Sequence, residues 1–156
     1  MDINELKIKA DSLIDEAIGY LNLNGCYFPT LYTVSKEEEI IPVDLYDEKE
    51  EKIVDVQKVM ELLADHCTAE IVIIDMNLME SDKLEDLPEV LKDDPRAVSA
   101  LVCFLHTENE SIMRQIRYKK DEESMTVNTL DWEETDEVSG LYNSPFTKNR
   151  KVSQEG

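Results

Sequence analysis

Two apolar segments, residues 69–79 and 97–105, constrain this chain more than any other feature. The first has Ile71-Val72-Ile73-Ile74 at its centre, and the second holds Leu101-Val102-Cys103-Phe104-Leu105. Neither run alternates with polar residues, as a strand with one wet face would. Short continuous runs of this kind predict central strands covered on both faces. The rest of the chain must then supply two covering layers.

The flanking segments offer those layers. Over residues 3–22, Leu6, Ala10, Leu13, Ala17 and Leu21 recur every three or four positions, with Ile14 and Ile18 widening the stripe. That spacing predicts an amphipathic helix, and Asn24-Gly25 supplies its stop. Residues 27–34 are aromatic and β-branched and read as a strand, with Pro29 near its start. Residues 40–45, interrupted by Pro42, read as its hairpin partner across a charged turn. Residues 48–66 predict a second long helix: acids crowd its first turn, and Ile53, Val56, Met60 and Leu63 form a stripe. A short helix is expected near residues 86–91, and residues 112–118 and 125–132 look like the arms of a final hairpin.

The fold class expected is α+β: a single mixed sheet of about five to six strands, two long helices and one short helix. A helix joining parallel second and third strands would form a right-handed crossover. Residues 1–133 read as one domain, and residues 134–156 as a polar, extended tail.

Charge narrows the partners. The net charge is −20, and three blocks carry all of it: residues 36–51 and 75–94 at −6 each, and residues 121–137 at −8. Such a field repels nucleic acid and anionic membrane and attracts basic proteins. Arg114, Arg117, Lys119 and Lys120 stand against that background and read as charges guarding a sheet edge. Cys26, Cys67 and Cys103 are odd in number, widely spaced and outside any CxxC, which fits small hydrophobes in a reducing compartment. With no apolar leader at the N-terminus and no spanning stretch, the expectation is a cytoplasmic protein.

Motifs exclude more than they propose. The only glycines are Gly19, Gly25, Gly140 and Gly156, so no phosphate-cradling glycine loop exists. The His-x-Glu and Pro-Cys-x-x-Cys ligands of zinc deaminases are absent. Asp75-x-Asn77 resembles the start of a calcium loop, but Glu80 occupies the position that needs glycine. The catalytic candidates are Asp75, Cys103 and His106, which end or interrupt the two apolar runs. His66 and His106 are the weak metal candidates, without paired spacing to support them, and no cofactor is expected.

Two function classes follow. The first is a non-catalytic interaction module that binds a basic protein partner, with nucleic-acid mimicry as one form of it. The alternative is a small enzyme or ligand-binding domain with a strand-end site around Asp75 and His106. Aromatic residues in peripheral segments, Phe28, Tyr32, Trp132 and Phe146 among them, leave homo-oligomerisation open.

Overall fold

A computed structural model describes residues 2–79, 97–120, 123–134 and 144–146, with the side chains of residues 77–79 and 97 outside that description. The first element is helix α1 (Ile3–Asn24). Its N-cap is Asp2, whose carboxylate accepts the Glu5 N–H at 2.8 Å. Gly25 ends it in the left-handed region (φ 77°), donating its N–H back to the Leu21 carbonyl. Leu6, Ala10, Ile14, Ala17 and Leu21 form its buried stripe.

Strands β1 (Thr30–Val34), β2 (Ile40–Val43), β5 (Ala69–Met79), β6 (Ala97–Thr107), β7 (Ser111–Lys120), β8 (Met125–Thr129) and β9 (Glu133–Glu134) build one sheet. The order is β2-β1-β5-β6-β7-β8, with β9 beside β8 on the outer flank of β7. Every pairing among the described residues is antiparallel, so the mixed sheet expected from sequence is not what they form. Burial on both faces explains the apolar runs, and it specifies nothing about strand direction. β2 and β5 do run parallel, but β1 lies between them.

The segment expected as the second long helix is also different. Residues 46–53 form a small separate hairpin, β3 (Tyr46–Asp47) with β4 (Lys52–Ile53). Asp47 captures the N–H groups of Lys49 and Glu50, which turns the acidic stretch back on itself. Helix α2 then spans only Val56–Leu63, capped by Asp55 through the N–H groups of Gln57 and Lys58, and a 3-10 turn carries the chain to His66. The short helix expected near residues 86–91 and most of the tail lie outside the described residues. Within the tail, Phe146 is buried.

The two faces of the sheet carry separate cores. On one, α1 packs its stripe over Ala69, Ile71, Ile73, Leu101, Cys103, Leu105, Ile112 and Ile116. On the other, Val56 and Met60 of α2 meet Leu31, Val72, Ile74, Ala100, Val102 and Phe104. Met60 is fully buried, so its truncation to alanine costs about 2–5 kcal/mol. Among the described residues, no helix is long and apolar enough to cross a membrane.

The basic run does not guard an edge, because β7 lies inside the sheet between β6 and β8. Two of its cations, Arg114 and Lys120, hold α1 instead. Arg114 bonds Asp11 at 2.8 Å and lies 5.0 Å above the ring of Trp132. Lys120 donates to the carbonyls of Leu21 and Asn22, where the negative end of the helix dipole favours a cation.

Candidate functional site

The residues singled out by sequence do not converge. Asp75 accepts the Tyr118 hydroxyl at 2.7 Å. Cys103 sits fully buried in the core beneath α1. His106 is buried too, but stacks on Phe104, which belongs to the opposite core. Strand alternation therefore puts Asp75 and Cys103 on one face and His106 on the other. Asp75 is also five positions along β5 from Glu70, the residue paired with His106, about 16 Å by strand rise. Burial drives the Cys103 thiol well above its usual range, the reverse of nucleophile activation. His66 is exposed at its helix end, and no group of three or more His, Cys, Asp or Glu suited to a metal ion occurs among the described residues.

Sequence reasoning missed a polar row in the α2-side core. Register places Thr33 opposite Glu70, Glu70 opposite His106, and His106 opposite Ser111, in a line across four strands. All four are buried. His106 Nδ1 and Ser111 Oγ share a hydrogen bond of 2.9 Å. Neither carboxylate oxygen of Glu70 has a hydrogen-bond partner among the described residues, and burial pushes its pKa up to about 8. Glu70 therefore carries a proton at neutral pH. A row this enclosed meets no ligand from solution without opening the sheet, so its protonation bears on stability and not on binding.

The open concavity lies on the other face, where the end of α1 meets the start of β1. It is a cleft of about 360 Å³ lined by Glu16 and Tyr20 of α1, Tyr27 and Phe28 of the connection, and Thr30 and Tyr32. Ala17, buried, forms part of its wall. The local sequence builds this directly. Glu16 and Tyr20 are one turn apart and share a side of the helix. The left-handed turn at Gly25 then brings the chain back, so Tyr27 meets Tyr20 edge to face, with centroids 5.9 Å apart and planes at 80°.

The cleft is aromatic in its walls, and its lining includes the Glu16 carboxylate. Tyr27 Oη and Thr30 Oγ1 lie 2.7 Å apart. Burial pushes the Tyr27 phenol up to about 12, partly offset by Thr30, with Tyr32, Cys103 and Glu16 adding smaller repulsions. Burial likewise raises Tyr32, and the Glu16 carboxylate contributes. Phe28 is 59% exposed and Tyr20 47%, a large aromatic surface to leave in water. The sequence signal for it was thin: Tyr20 flanks the apolar stripe, and Tyr27, Phe28 and Tyr32 read as ordinary strand residues.

A second concavity at the far end of α1, about 250 Å³, is polar and carries both signs of charge in Lys36, Glu38 and Glu108. It offers no comparable wall. No protein-family model, curated protein or solved structure matches the chain.

Proposed function

We propose that this domain is a non-catalytic module that binds a basic segment of another protein in the cleft between α1 and β1. One observation carries the reading: four aromatic side chains and the Glu16 carboxylate line a single open concavity in a chain of net charge −20. A cation placed over aromatic faces gains about 0.5–2 kcal/mol, more as water is excluded. Glu16 supplies a countercharge at the same place. The wider negative field steers a basic partner inward and raises its association rate.

The acidic stretch at residues 36–51 fits this division of labour. It lies in turns and small hairpins with mostly exposed side chains, where charge acts at range and not by contact. Nucleic-acid mimicry would require carboxylates at phosphate-like spacing along an elongated face, and the reading here rests on the cleft instead. An enzyme built on Asp75 and His106 has less support, because the sheet separates the two.

The test is fluorescence anisotropy of a labelled Lys/Ser peptide at low and moderate salt. Wild type is expected to bind, more weakly as salt rises, and Glu16→Gln and Phe28→Ala are each expected to weaken binding several-fold. No binding at low salt, or unchanged binding by both variants, would overturn the proposal.

A further inference from the structure

We infer that the cleft between α1 and β1 selects a trimethylated lysine over an unmodified one, an inference that rests on the basic-partner reading above.

An unmodified ammonium carries three N–H donors, and each needs an acceptor once it leaves water. Among the described residues the lining holds one charged acceptor, Glu16; the others are the neutral hydroxyls of Tyr20, Tyr27, Thr30 and Tyr32, of which Tyr27 and Thr30 already bond each other. A trimethylammonium group has no donors to satisfy and sheds its water at lower cost. It keeps the positive charge that the ring faces attract. Its methyl groups also bury against aromatic carbon, a gain unavailable to the bare ammonium.

Shape points the same way. Tyr20 and Tyr27 meet at 80°, so their rings form a corner and not a parallel slot. A corner closes around a rounded cation, whereas a flat guanidinium stacks best between parallel planes. Phe28 and Tyr32 extend the wall from the connection and from β1. The volume, about 360 Å³, lies at the small end of ligand pockets and suits one side chain better than a folded motif. A net charge of −20 favours a cationic peptide as the source over a zwitterionic lipid headgroup.

The experiment is isothermal titration of the whole chain with two peptides that differ only in one lysine, unmodified or trimethylated. Tetramethylammonium chloride and phosphatidylcholine vesicles serve as further arms. The trimethylated peptide is expected to bind at least fivefold more tightly, with tetramethylammonium competing for the site. Phe28→Ala and Tyr20→Ala, both at exposed positions, are expected to abolish that preference while leaving the circular dichroism unchanged. Glu16→Gln is expected to weaken both peptides by the same factor and leave the preference intact. Equal or tighter binding of the unmodified peptide, or a preference that survives both aromatic substitutions, would overturn the inference while leaving the basic-partner reading standing. Tighter binding to the vesicles than to the peptide would overturn the peptide assignment. If neither peptide bound at low salt, both readings would fall together.

Discussion

Glu70 and His106 stand directly opposite one another on β5 and β6, both fully buried, in a polar row that Thr33 and Ser111 extend on either side. The acid in that row gives stability a pH dependence of definite sign. Its folded pKa, about 8, lies above the ordinary 4.5 because burial penalises the charge. Between those values the folded chain holds a proton that the unfolded chain has released. The stabilisation is complete below about pH 4.5 and is lost as pH rises towards 8, by up to about 1.4 kcal/mol per pH unit. Replacing Glu70 with Gln is expected to remove that slope, a relative change of about 3 kcal/mol between pH 4.5 and 7. Urea melts of both proteins at several pH values check it, and parallel curves would contradict it.

Arg114 ties β7 to α1 through Asp11 and to the connection between β8 and β9 through Trp132. Asp11 is 42% exposed, so the ion pair itself contributes little, within about 1 kcal/mol. The guanidinium placed over the Trp132 ring is the part that lysine reproduces poorly. Arg114→Lys is therefore expected to destabilise the fold by about 1 kcal/mol and to shift the fluorescence of Trp132, while Asp11→Asn does less. A double-mutant cycle in guanidinium measures both.

Two glycines in α1 and its cap should respond in opposite directions to alanine. Gly25 holds φ 77°, a conformation that a side chain strains, and Gly25→Ala is expected to cost about 1 kcal/mol. Gly19 lies within the helix with nothing close to where a Cβ would sit, so Gly19→Ala is expected to stabilise by about 0.5–1 kcal/mol. Thermal melts that moved the same way for both would contradict the account of the helix end.

The cysteines separate by reactivity. Cys26 is exposed, whereas Cys67 and Cys103 are buried, and burial pushes the Cys67 thiol up to about 12. A thiol reagent at pH 8 is expected to label Cys26 within minutes and the other two only as the chain unfolds. Mass spectrometry of a labelling time course reads this directly. Rapid labelling of Cys103 would revive it as a reactive group.

How far the sequence foretold this structure differs by element. Residues 69–79 form the strand expected of them, because a run covered on both faces leaves little freedom. The shortening of α2 has a local cause. An acid-rich stretch before an apolar stripe looks like a helix's first turn, and only the side-chain bonds of Asp47 and Asp55 show where the turn ends and the helix begins. Glu70 was hidden for another reason. Its burial follows from register with Thr33 and His106, which no single segment encodes. The cleft joins residues on either side of the Gly25 turn, so its aromatic character emerges only once the chain has folded back.

The binding site itself is the claim most exposed to test. Amide and aromatic resonances of the isotopically labelled chain, followed while a basic peptide is added, would locate the contact residue by residue. The account expects the largest shifts at Glu16, Tyr20, Tyr27, Phe28, Thr30 and Tyr32. Shifts confined to the acidic residues 36–51, with those six unmoved, would contradict it.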